Sequence, residues 1–148
     1  LNRLIIQQPD SGQARAHQSL RTCRGGSQTY PTDLYAFGNA SGPRAPRPGR
    51  DYDVGEDGMV RAHSGPAPMG ASTFGDPAQA DLTGIYHVIP EGTRLPDGFA
   101  VVADGIDVLP GSTNAATHHS IYPTKPMAPD EFVRGFLDLP WVKAGKKK

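Results

Sequence analysis

"NAATHHSIYPTKPM", residues 114–127, sets two histidines side by side in a β-rich run that prolines 123 and 126 close. Neighbouring side chains of a strand point to opposite faces of its sheet, so His118 and His119 cannot serve the same purpose. Ile121 shares the face of His119, and the alternation alone leaves open which histidine faces a site. Working backward, "IDVLP" (106–110), "FAVVAD" (99–104) and "IYHVIP" (85–90) complete four β-rich runs separated by Gly, Pro and Asp turns. Further upstream "ASTF" (71–74) and "MVRAH" (59–63) read as short strands. In "TDLYAFG" (32–38), Leu34 and Ala36 alternate with Tyr35 and Phe37. Between them "NASGPRAPRPGR" (39–50) is too rich in Pro and Gly for anything but a surface loop, and Arg50 stands at its end. Working forward, "PDEFVRGFLDLPW" (129–141) carries Phe132, Val133, Phe136 and Leu137 on one helical face, enters through Pro129 and Asp130, and stops at Pro140. The fold class is α+β, mostly β, with a C-terminal helix on a sheet.

The 148 residues fit one domain, with 18 Gly and 15 Pro favouring short strands and long loops over large helices. Fifteen basic side chains balance fifteen acidic ones, which removes any electrostatic case for nucleic acid or a membrane surface. The single cysteine, Cys23, excludes an intramolecular disulfide and suits a cytoplasmic workplace. No apolar run is long enough for a secretory leader or a bilayer span. Residues 1–29 are expected to be a flexible lead-in with at most one short helix after Ser11, residues 30–142 the domain, and 143–148 a solvated basic tail.

No phosphate-binding glycine loop, zinc-type cysteine pattern or nucleophile elbow is present, and the five histidines lack metal-ligand spacing. Three polar clusters remain: Arg50, the "GASTFGD" run (70–76), and the paired histidines. In the second, Ser72 and Thr73 fall on opposite faces, with Phe74 on the face of Ser72.

From "DLYAFGNA" to "DEFVRGFLD", about 105 of the 148 residues, the chain resembles the type VI secretion cytotoxin family with an ADP-ribosyltransferase-like fold. The resemblance rests on Arg50 ahead of "DYDV", then "GEDG", "GASTF", "VIPEGTRLP" and "ATHHSIYPTKPM", in that order; residues 1–29 fall outside it. It implies a split β-sheet core and NAD as the substrate, cleaved at the nicotinamide–ribose bond through an oxocarbenium-like transition state. That reaction needs the dinucleotide gripped and the positive ribose stabilised. Carried over by position, Arg50, Ser72 and His118 are the catalytic residues, with Tyr35, Thr73, Phe74 and Glu91 against the cofactor. The partners implied are an immunity protein and an acceptor macromolecule, and the place of action is the cytoplasm of a target cell.

The chain departs from the pattern twice. Ala71 replaces the family's threonine before Ser72, and the late strand has no glutamate for the ribose 2′-hydroxyl. His118 stands in that place, and an imidazole can donate one hydrogen bond and accept another but brings no negative charge. Glu91 in the "PEGT" turn is the carboxylate that chemistry can borrow. The alternative reading is a non-catalytic interaction module that keeps the fold and has lost the NAD chemistry.

Overall fold

A computed structural model describes residues 26–148. The helix expected after Ser11 and Cys23 lie outside the described residues. The elements run β1 (Leu34–Asn39), β2 (Gly42–Pro43), β3 (Ala71–Phe74), a 3₁₀ turn (Pro77–Gln79), β4 (Gly84–Ile89), β5 (Phe99–Ala103), β6 (His118–Pro123), α1 (Pro129–Leu137) and β7 (Val142–Lys147). All strands pair antiparallel in one sheet of order β5-β6-β3-β1-β4-β7, with β2 added to β1. The architecture is therefore the mostly-β, α+β class expected.

Alternation along each strand divides the sheet into two faces. Leu34, Ala36, Ala71, Ile89, Phe99, Val101 and Ile121 make one face, and all are buried. Onto it α1 lowers Phe132 and Phe136, with Val133 and Leu137 at its flanks. Each large side chain so buried stabilises the fold by roughly 1.5–3 kcal/mol. The helix starts because Pro129 sits in its first turn, where a missing N–H costs nothing, and Asp130 and Glu131 complement the N-terminal dipole. It passes close over β5 because residue 135 is glycine; a Cβ there would run into the Phe99 ring, which stacks on Phe132 at 5.2 Å and 4°. The opposite face carries Phe37, Phe74 and Tyr86 at one end and Ala100, Val102 and Tyr122 at the other.

The sheet forks between β1 and β3, and the fork positions the site. Gly38 meets Ile85 of β4 across one edge of β1 and Pro43 of β2 across the other. That second edge is the one β3 uses, so β3 keeps a single register pair with β1, Tyr35 with Phe74, and then diverges. The close approach of β2 needs a glycine at 38, where a Cβ would strike the backbone of Gly42 and Pro43.

Four expectations change. "IDVLP" is a set of turns, not a strand, and Ile106 and Val108 are exposed at 47% and 59%. "MVRAH" forms only isolated bridges, of Val60 with Val54 and with Met127. The basic run 143–148 is not a solvated tail: residues 142–147 form edge strand β7 on β4, and Lys147 Nζ donates to the carbonyl oxygens of Pro77 and Ala78 at 3.2 and 3.4 Å. A lysine-rich strand carries no apolar alternation to betray it, yet lysines suit a sheet edge because they deter further pairing. The lead-in is also shorter than residue 29, since Ser27 and Thr29 already bridge Val101 and Arg94.

Candidate active site

β3 and β6 pair with Ser72 opposite Ser120 and Phe74 opposite His118. These four side chains share the face away from α1, whereas Thr73, His119 and Ile121 share the helix-facing one. On the first face a hydrogen-bonded chain runs inward from the surface. Ser72 Oγ lies 2.9 Å from His118 Nε2, and His118 Nδ1 lies 2.6 Å from Asp104 Oδ1. Ser120 Oγ donates to the other carboxylate oxygen at 2.6 Å. Ser72 is exposed, His118 and Asp104 are buried.

The chemistry of these groups fixes the direction of each proton. A buried ionised carboxylate only accepts, so His118 carries its hydrogen on Nδ1 and leaves Nε2 bare to accept from the Ser72 hydroxyl. Phe74 closes one side of the imidazole edge-on at 5.3 Å and 80°. Asp104 is held at the end of β5 by its N–H donating to the His118 carbonyl at 3.1 Å, and its own carbonyl receives Ser112 Oγ at 2.7 Å. The ring is thus locked in tautomer and orientation.

Ser72 opens into a pocket of about 240 Å³ that occupies the fork, with Ala36 and Phe37 from β1 on one side and Ser72 and Phe74 from β3 on the other. Its rim is the loop carrying Arg44, Arg47 and Arg50. The backbone contributes as well. Gly75 N–H donates to Thr117 O, and the alternation of an antiparallel ladder then turns the backbone groups of Ser72 and Phe74 toward β1. Phe74 meets Tyr35 there, but Ser72 has no register partner on β1, so its N–H faces the fork.

The arginine loop is clamped. Asp51 Oδ2 accepts from the Arg47 backbone N–H at 2.8 Å and from its Nε at 3.3 Å. Tyr52, buried, packs its ring 5.4 Å from Phe132 of α1, and Gly49 turns the chain with φ of +82°. Asp51 balances Arg47, while no carboxylate among the described residues forms an ion pair with Arg44 or Arg50. Two cations with unmatched charge therefore border a small pocket lined by three phenyl rings, those of Phe37, Phe74 and Phe136.

The residues singled out from sequence divide accordingly. Arg50, Ser72 and Phe74 line the pocket, and His118 stands behind Ser72 without reaching the wall. Tyr35 lies on the same face but packs edge-on against Tyr86 at 5.7 Å. Thr73 is away from the pocket: it is fully buried and its hydroxyl donates to the His119 carbonyl at 3.1 Å. Glu91 is also outside, in a turn at the Asp33 end of β1, where its N–H donates to Asp33 Oδ1. His119 packs inward and its Nδ1 meets the Thr117 carbonyl at 2.8 Å; burial lowers its pKa below the ordinary 6.5.

Sequence reasoning missed Asp104, Ser120 and Arg44. Ser120 was within reach, two residues from His118 and so on its face. Arg44, Arg47 and Arg50 recur every third residue through a proline-rich stretch, and three residues make one turn of a polyproline helix, so the period is itself a signal for side chains on one side. Asp104 gave no local signal beyond ending an apolar run, because its partner lies 14 residues on.

A larger hollow, about 500 Å³, lies over Gly55–Ala62 and is lined by Glu56, Asp57 and Arg61. It has no aromatic wall and none of the hydrogen-bonded chain, so the smaller fork pocket is the candidate site. Among the described residues there is no cluster of three or more metal-ligating side chains and no helix long and apolar enough to cross a membrane.

Neither a curated protein nor a solved structure matches the chain. The family model of the Tse2 ADP-ribosyltransferase toxin matches residues 14–139, which extends the likeness upstream of Asp33 into the lead-in and takes in the whole fork. The chain belongs to the Tse2 ADP-ribosyltransferase toxin family.

Proposed function

We propose that the fork pocket binds NAD and cleaves its nicotinamide–ribose bond, and that the ADP-ribose so released to an acceptor arrests a target cell from within its cytoplasm. The observation that carries this reading is an exposed serine, backed by a buried histidine and aspartate, facing two arginines with unmatched charge across a cleft in the sheet.

The pocket is smaller than the roughly 300–1,000 Å³ that holds a drug-sized ligand whole. It fits the nicotinamide-ribose end, with the phosphates lying outside along the rim where Arg44 and Arg50 stand. Phe37 and Phe74 offer aromatic surface to the nicotinamide. Ser72 offers its hydroxyl and backbone N–H to the ribose. The glutamate usual in standard ADP-ribosyltransferases is absent from the late strand, but Asp104 brings negative charge behind His118, 2.6 Å from its Nδ1. The interaction-module alternative rested on that absence, and Asp104 weakens its ground.

A producer of such a toxin needs an antidote, and an immunity protein that covers the fork would block both the arginine rim and Ser72. The test is induction of the chain in a bacterial host while cellular NAD and growth are followed. Arrest with a fall in NAD, both abolished by Arg50→Ala at equal soluble expression, supports the reading. Normal growth with folded wild-type protein accumulating overturns it.

A further inference from the structure

The hydrogen-bonded chain Ser72–His118–Asp104 exceeds what gripping a ribose requires. A hydroxyl that only contacts substrate needs no base behind it, yet Ser72 Oγ sits 2.9 Å from one imidazole nitrogen of His118, whose other nitrogen is held by a buried carboxylate at 2.6 Å. Ser120 further fixes that carboxylate. This is the order of groups that turns a serine into a nucleophile.

Two features separate the chemistry it suits from acyl transfer. Acyl transfer needs a pair of backbone donors around an oxyanion. Ser72 lies within a strand: its own N–H faces the fork, but that of Thr73 is directed to the β6 ladder, so the second donor is missing. Substitution at a ribose carbon bearing positive charge needs no oxyanion site. The arginine rim and aromatic walls select that kind of electrophile.

We infer that Ser72 itself accepts ADP-ribose, so that the chain modifies its own site. The inference rests on the NAD-cleaving reading above. As the bond from ribose C1′ to the nicotinamide nitrogen breaks, its electron pair returns to the ring and nicotinamide leaves neutral. Ser72 Oγ forms the new bond to C1′, and its proton passes to His118 Nε2. The imidazolium, paired with Asp104, then releases that proton to solvent. NAD and a serine become nicotinamide, a proton and a serine O-glycoside of ADP-ribose. Water competes poorly, because the hydroxyl is already fixed beside its base inside the pocket. The product leaves its phosphates on the arginine rim and closes the fork, which makes the modification an intrinsic off-switch.

Purified protein is incubated with NAD while free nicotinamide, intact protein mass and peptide maps are read together. The expected result is nicotinamide release with a mass gain of one ADP-ribosyl group per chain, mapped to Ser72 and absent in Ser72→Ala. That variant keeps its melting temperature, since the serine is exposed. Nicotinamide release without an adduct, or an adduct mapped to Arg44, Arg50 or Asp51, overturns the self-modification and leaves NAD cleavage standing. Absence of both nicotinamide and adduct overturns the two together.

Discussion

Asp104 is the residue whose replacement separates chemistry from folding. It is 2% exposed and accepts the His118 Nδ1–H and the Ser120 hydroxyl, one on each oxygen. Asp104→Ala leaves both donors buried without partners, and an unsatisfied buried donor costs about 1–3 kcal/mol. Two of them amount to roughly 2–6 kcal/mol, a large share of the 5–15 kcal/mol that typically holds a domain folded. At about 2–4 °C per kcal/mol for a chain of this size class, the melting temperature falls by roughly 4–24 °C. Asp104→Asn behaves differently. Its amide oxygen still accepts from Nδ1–H and its amide nitrogen donates to Ser120 Oγ, so stability drops by no more than about 1.5 kcal/mol. Whichever way the amide turns, however, the negative charge that stabilises an imidazolium is gone. General-base assistance is worth about 10²–10⁴-fold, and NAD cleavage should fall within that range. The assay is a melt on each variant beside its initial rate of nicotinamide release. An Asp104→Asn protein that folds and keeps the wild-type rate would refute the relay and make Asp104 a packing device.

Three more outcomes follow from other parts of the molecule. Arg50→Ala should abolish toxicity while moving stability by no more than about 0.5 kcal/mol, because the side chain is exposed; a large loss in a thermal melt would make Arg50 structural. Gly135→Ala should destabilise by about 1–3 kcal/mol despite alanine's better helix propensity, because its Cβ meets the stacked Phe99 ring, and denaturant titration reads this directly. Burial lowers the pKa of His119, with the Thr117 carbonyl and Asp104 opposing that shift and His118 adding to it. The unfolded chain therefore binds the proton more readily, so stability is complete above pH 6.5 and declines as pH falls below it. His119→Asn keeps a donor for Thr117 O and should flatten that decline, and equal slopes for the two proteins between pH 7.5 and 5.5 would discount His119 as its source.

Alternation was the legible part of the sequence. The two faces of "HHSIYP", the Ser72/Phe74 pairing on one side of "ASTF", and the apolar stripe of "EFVRGFL" are each local periods, and the structure has the same faces. What stayed hidden depends on contacts distant in sequence or on backbone alone. β7 is held by its ladder to β4, and its run VKAGKK offers a reader looking for buried side chains only an exposed valine and an alanine among lysines and glycine. "IDVLP" has strand-like composition, but the Ser112 and Asn114 side chains donate to the Asp104 carbonyl and hold the segment in turns beyond β5. The missing glutamate of the late strand had no visible substitute, because Asp104 sits on a different strand from His118 and only the β5/β6 register unites them. The fork itself follows from two-residue β2 taking the edge of β1, a competition no single segment displays.

The most direct test of the central claim is nicotinamide release from NAD by the purified chain, compared with a His118→Ala variant shown to fold by its melt. The account predicts nicotinamide release by the wild-type protein and an initial rate lower by about 10²-fold or more in the variant, since the base beside Ser72 is gone. Equal release by both, or none by a well-folded wild-type protein, would contradict it.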